Sequence, residues 1–263
     1  MNQQMNQQVT LKNYVTTDYA YEEAIKTLRT NIQFCGSSIR AIMLTSSVPN
    51  EGKSDITFSL ARSFAQTGKK VLLIDADIRK SVLVTRYQLE KDICGLSQFL
   101  SGQKKREEVL YSTNLEGLDV IFSGPYSPNP AELLEEGLFR SLVEWGKAEY
   151  DYVIIDTPPI SNVIDGAIVA RVCDGAVLVI ESGAISYRVA QRVKQQMEKT
   201  GCRILGAILN RVGGENDGYY SKQYGSYRKY GRYYEYAKYS GYYGKENGGL
   251  KNGHEEDREK GAG

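Results

Sequence analysis

Three Val/Ile/Leu-rich runs in this chain each end in a charged or glycine-bearing turn, and their order narrows the folds available. AIML runs into TSSVPNEGKSD (Thr45 to Asp55), VLLI runs into DADIR, and YVII runs into DTPP. Each apolar run has the length of a buried strand, and segments of helical period separate them. That alternation predicts an α/β fold with a mostly parallel sheet sandwiched by helices. In such a sheet ligands gather at the carboxyl ends of the strands, where all three turns fall.

The elements can be laid out on that frame. Tyr19 to about Phe34 predicts a helix with Ala24, Ile25, Leu28 and Ile32 on one face and Asp18 as N-cap. A strand follows at Arg40 to Thr45, then a loop from Ser46 to Gly52 and a helix burying Ile56, Leu60 and Phe64. Further strands are expected at Lys70 to Asp75, Leu118 to Phe122, Tyr152 to Asp156, Ala176 to Glu181 and Arg203 to Leu209. Short helices are expected near Val82 and Leu96. Asn129 followed by Pro130 is a cap-then-proline start for one helix through AELLEEGLFRSLVEWG, and Tyr187 to Lys199 forms another. Residues 1–18 read as a flexible lead.

The first turn has the context of a phosphate-binding loop, a strand before it and a helix after. Backbone N–H groups at such a helix start attract phosphate, Lys53 would reach the β and γ phosphates, and Ser54 offers a hydroxyl to Mg²⁺. Pro49, Asn50, Glu51, Gly52, Lys53, Ser54 and Asp55 are the candidate nucleotide contacts. The usual glycine five residues before Gly52 is Ser47 here. Asp75, Asp77 and Asp156 stand at strand ends, the arrangement that holds Mg²⁺ directly or through water; Ser54, Asp75 and Asp156 are the candidate metal ligands. A single aspartate there often only caps a turn. Three motifs in this order make a joint ATP–Mg²⁺ site in a P-loop NTPase fold, a three-layer αβα sandwich, the expectation. Asp55 suits a helix start but would repel a polyphosphate if it pointed inward.

Composition excludes other classes. A net charge of +1 gives no electrostatic case for nucleic acid. Cys35, Cys94, Cys173 and Cys202 are scattered, with no CxxC pair, which argues against zinc and suits reduced thiols of the cytosol. The polar start MNQQMNQQ lacks the regions of a secretory signal, and no apolar run approaches the ~20 residues of a membrane span.

Eleven of the 20 tyrosines crowd the end of the chain: Tyr219, Tyr220, Tyr224, Tyr227, Tyr230, Tyr233, Tyr234, Tyr236, Tyr239, Tyr242 and Tyr243. Gly, Ser, Lys and Arg separate them without a helical or strand period, and aliphatics almost vanish beyond Val212. The stretch 213–263 is therefore expected to be disordered. Aromatics with no packing pattern make sense if their hydroxyls are themselves the substrate. Tyrosine interleaved with basic residues also suits single-stranded nucleic acid, but the acidic HEEDRE near the end almost cancels that charge.

The order SSVPNEGKS, VLLIDADIR, VIIDTPP and a terminal tyrosine cluster resembles the bacterial tyrosine kinases of capsule and exopolysaccharide systems. The form it resembles is the one separate from its membrane activator. The likeness extends through GLSQFLSG, SPNPAELL and LGAILNR. It implies an ATP- and Mg²⁺-dependent protein-tyrosine kinase over residues 19–212 that autophosphorylates the cluster at 219–243 in trans. Lys53, Asp75 and Asp77 would carry catalysis, with Asp75 favoured to take the tyrosine proton, and Asn210 would read the adenine edge. Implied partners are a transmembrane co-polymerase-type activator, which would recruit the cytoplasmic chain to the inner membrane face, and a cognate tyrosine phosphatase. Other protein substrates and a ring-forming homo-oligomer are also implied. Glu23, Lys26 and Arg29 match the family's Glu-x-x-Arg-x-x-Arg assembly signature, with lysine at the first arginine position. The alternative is a ParA/MinD-type ATPase switch. Those carry a lysine four residues before the P-loop glycine, where Val48 stands here, and lack a tyrosine-rich tail.

Overall fold

The computed structural model describes residues 7–14, 18–89, 93–161 and 163–212. The elements in chain order are β1 (Gln7–Val9), α1 (Tyr19–Phe34), β2 (Ala41–Ser46), α2 (Lys53–Ala65), β3 (Val71–Asp75), α3 (Leu83–Arg86), α4 (Leu96–Leu100) and α5 (Arg106–Val109). They continue as β4 (Leu110–Thr113), β5 (Leu118–Ile121), α6 (Pro130–Glu135), α7 (Gly137–Glu149), β6 (Tyr152–Asp156), α8 (Asp165–Ala170), β7 (Gly175–Glu181), α9 (Tyr187–Glu198) and β8 (Ile204–Asn210). The strands form one sheet in the order β1-β4-β5-β3-β6-β2-β7-β8. From β5 to β8 every pairing is parallel, and β4 runs antiparallel to β5.

The central strands are buried on both faces, and their two-residue period sorts their side chains into two cores. Met43, Leu72, Ile74, Val153 and Ile155 pack toward α7 through Phe139, Leu142 and Val143. Ile42, Leu44, Leu73, Ile154 and Val179 pack toward α1 and α2 through Ile25, Ile56, Leu60 and Phe64. Each such aliphatic side chain taken fully out of water contributes about 1.5–3 kcal/mol. Gly146 lets α7 lie tight on the sheet, because a Cβ there would stand 2.9 Å from Val153 and 3.2 Å from Leu72. The three-layer αβα sandwich expected from the strand pattern is the architecture found.

Several expectations are corrected. Part of the expected lead is ordered: Gln7–Val9 pairs in parallel with Tyr111–Thr113, and buried Leu11 donates its N–H to Asn114 Oδ1 at 2.8 Å, while residues 1–6 and 15–17 lie outside the described residues. The helix expected to run unbroken from Pro130 is two helices, because Glu136 takes extended backbone (φ −65°, ψ 153°) between α6 and α7. Asp18 does cap α1, accepting from Ala20 N at 2.9 Å and Tyr21 N at 3.3 Å. Residues 213–263, expected to be disordered and carrying all eleven tail tyrosines, lie outside the described residues.

Candidate active site

The loop from β2 into α2 is shaped by two left-handed residues, Asn50 (φ 70°) and Gly52 (φ 83°). Gly52 is also pinched: a Cβ there would lie 2.2 Å from Asn210 Nδ2, which donates to Glu51 O at 2.8 Å. The Glu51 side chain is buried beneath the loop. Its Oε2 accepts from Ser47 N at 2.6 Å and Val48 N at 2.9 Å, and its Oε1 accepts from Glu181 N at 3.1 Å. One carboxylate thus fastens the loop to itself and to the end of β7. Ser47 is not among the left-handed residues, so its position does not need glycine's freedom. That explains how serine stands where the usual pattern has glycine.

Lys53 opens α2 and turns inward. Its Nζ donates to Asp156 Oδ1 at 2.5 Å and lies 3.2 Å from Ser54 Oγ. Thr57 Oγ1 also donates to Asp156 Oδ1, at 3.1 Å. Asp156 ends β6 and is the register partner of Asp75, which ends β3. Asp75 is fully buried, accepting from Ser81 Oγ and from Asp77 N at 3.2 Å. Burial, and then the neighbouring Asp156 carboxylate, push the Asp75 carboxyl up to about 7 against the Ser81 hydrogen bond. Burial also raises the Asp77 carboxyl, with the Lys53 charge opposing it.

A cavity of about 320 Å³ opens over these groups. The run from Pro49 to Asp55 lines it, with Asp77, Arg79, Lys80, Arg86 and Arg211 among its other polar residues. Of the two second-motif aspartates, Asp77 faces this cavity while Asp75 sits behind it. Asn210 lies below the loop, bonded to its backbone. Asp55, in the same lining, is paired with Arg86. Among the described residues no three His, Cys, Asp or Glu side chains gather as a metal cage.

The candidate oligomer contacts divide. Lys26 is exposed and bonded to Glu23 at 2.7 Å, whereas Arg29 reaches across to α2 and donates to Ser63 O at 2.8 Å and Ser63 Oγ at 2.9 Å. Sequence reasoning missed Asp165, whose buried carboxylate takes Arg79 in a two-pronged bond at 2.6 and 2.9 Å. It also missed Thr57 and Ser81, the hydroxyls that serve Asp156 and Asp75. The chain carries no signal for Asp165, because its partner is 86 residues away. No helix among the described residues is long and apolar enough to cross a membrane.

A lysine-bearing loop between a central strand and its helix, set over acidic ends of adjacent parallel strands, defines a P-loop NTPase fold. Residues 39–200 match the family described as AAA domain. The chain is 43% identical over 210 residues to the tyrosine-protein kinase CpsD of Streptococcus agalactiae, covering 80% of this chain and 90% of that protein. The solved kinase domain of Escherichia coli tyrosine kinase ETK is 36% identical, with a TM-score of 0.69 over 72% of this chain and 74% of the other. The septum site-determining protein MinD of Pyrococcus horikoshii, solved with Mg-ADP, shares the fold at 24% identity and a TM-score of 0.59, covering 67% of this chain and 72% of the other. This chain belongs to the bacterial tyrosine-protein kinase family, and it is a protein-tyrosine kinase.

Proposed function

We propose that the chain binds ATP with Mg²⁺ in the cavity over α2 and transfers the γ-phosphoryl group to tyrosines of the 219–243 cluster of a second copy. The observation that carries this reading is Lys53, held at the loop between Ser54 and Asp156 with Asp77 on the same cavity wall. Lys53 exchanges Asp156 for phosphate oxygens, and the N–H groups at the start of α2 receive the remaining negative charge. The phenol oxygen forms a bond to the γ phosphorus as the bond to the bridging oxygen breaks, and ADP leaves. The phenol proton passes to a carboxylate. Asp77 is preferred to Asp75 for that step because it lines the cavity, and Asp75 orders the turn through the Asp77 N–H.

The donors suit Mg²⁺, being hydroxyl and carboxylate oxygens. Ser54 and Asp156 would hold it, with Asp75 behind them. The ion supplies neutralisation of charge on the β and γ phosphate oxygens. The domain that does this work spans residues 19–212, with the strand at Gln7–Val9 added at the sheet edge.

The wider role follows the family. The chain serves capsular or exopolysaccharide polymerisation and export, works in the cytoplasm at the inner membrane face beside a transmembrane activator, and forms a homo-oligomer. A tyrosine phosphatase reverses the modification, and other proteins serve as further substrates. Incubation with ATP and Mg²⁺, with and without the activator's cytosolic peptide, followed by mass spectrometry of residues 213–263, tests the reaction. Phosphotyrosine in the cluster is expected, absent in Lys53→Met. Phosphate on serine alone, or phosphate retained in that variant, would overturn it.

A further inference from the structure

Every arginine on the cavity wall, and Lys53 with them, already has a carboxylate partner, and Lys80 adds a further cation to the lining. Lys53 pairs with Asp156, Arg79 with Asp165, Arg211 with Glu181 and Arg86 with Asp55. Asp156, Asp165 and Glu181 lie outside the cavity lining. Asp55 alone of these partners stands in it, beside the loop. It is the third residue of α2, inside the first turn, where unpaired N–H groups and the helix dipole favour negative charge. A carboxylate there occupies the same field that a polyphosphate uses. Arg86, at the end of α3, lines the same cavity and pairs with it.

We propose that the Asp55–Arg86 pair sets the nucleotide affinity of this kinase: Asp55 weakens polyphosphate binding by charge repulsion, and Arg86 limits that penalty by pairing with it. The inference rests on the nucleotide reading of the cavity. It makes Asp55 an affinity-setting residue whose effect follows the ligand's phosphate charge and leaves the nucleoside untouched. Arg86 offsets the Asp55 charge, so losing either member alone shifts the affinity and losing both largely restores it.

The test is the dissociation constant for ADP with Mg²⁺, and for adenosine, in the full chain and in Asp55→Asn, Arg86→Met and the double variant. Asp55→Asn keeps the shape and removes only the charge. It is expected to tighten ADP about tenfold, which corresponds to about 1.4 kcal/mol. Arg86→Met, which leaves Asp55 bare, is expected to weaken ADP about tenfold. The double variant should return to within about twofold of the parent, and adenosine should not respond to any of them. ADP affinity within about twofold of the parent in Asp55→Asn, or equal shifts for ADP and adenosine, would overturn the inference. If that happens while Lys53→Met still abolishes ADP binding, the nucleotide site stands and only the role of the pair falls. A parent chain that binds no ADP overturns both.

Discussion

Asp75 and Asp156 face each other as register partners at the ends of adjacent parallel strands, two buried carboxylates with one lysine between the sheet and the loop. Lys53 bonds Asp156, which leaves Asp75 to accept only from the neutral Ser81 hydroxyl and Asp77 amide. One of the pair is charge-balanced and the other is raised to about 7. Asymmetry of this kind separates the roles of two like groups within one site.

The raised Asp75 carboxyl makes stability depend on pH. Its folded value lies above the ordinary 3.8, so the native state holds the proton more tightly than the unfolded chain does. The contribution is fully present below about 4 and is lost as pH rises through about 7. Asp75→Asn, which cannot ionise, should melt close to the parent at pH 4.5 and above it at pH 8. Calorimetric melting at both pH values checks this, and an equal difference at each would refute it.

Lys53→Met leaves Asp156 buried without its cation. The expected cost is about 3–5 kcal/mol, the range for breaking one side of a buried ion pair. Adding Asp156→Asn should recover much of that loss, since the remaining group is neutral. Urea denaturation of the single and double variants measures the difference. The double variant also provides a folded control that is expected to transfer no phosphate.

Arg29 and Lys26 should behave differently despite sharing a helix face. Arg29→Ala removes two charge-assisted bonds to Ser63, an expected loss of about 1.5–3 kcal/mol from the packing of α1 on α2. Lys26→Ala removes an exposed partner of Glu23 and should leave the urea midpoint unchanged. Equal midpoints for the two variants would show that Arg29 does not clip the helices together.

Gly52→Ala should strain the loop twice, through its left-handed backbone and through Asn210 Nδ2. A cost of about 1–3 kcal/mol is expected, with ADP affinity falling by more than tenfold. Asn210→Ala removes the second strain and should return part of the affinity to Gly52→Ala. Isothermal titration of both variants decides it.

The chain announces most of its sheet because fully buried parallel strands are continuous apolar runs: VLLID and YVIID read directly as β3 and β6. The P-loop is legible for the same reason, as it interrupts such a run with Pro, Gly and Lys. β1 at the sheet edge is polar, QQV, and its neighbour β4 is LYST, so neither carries that signature. The break at Glu136 hides inside a sequence that alternates acidic and apolar residues as a helix would. Which aspartate of Asp75 and Asp77 faces the cavity depends on how the chain leaves β3, a matter of backbone path that spacing does not encode. Asp55 was legible as a departure, and its Arg86 partner was not, because only folding brings α3 to the mouth of the loop.

Asn210 closes β8 and donates to Glu51 O in the P-loop, so the last strand of the sheet and the phosphate loop share one bond. A displacement at the end of β8 therefore reaches the loop through a single amide, and a loop that shifts to receive phosphate must carry or release that strand end.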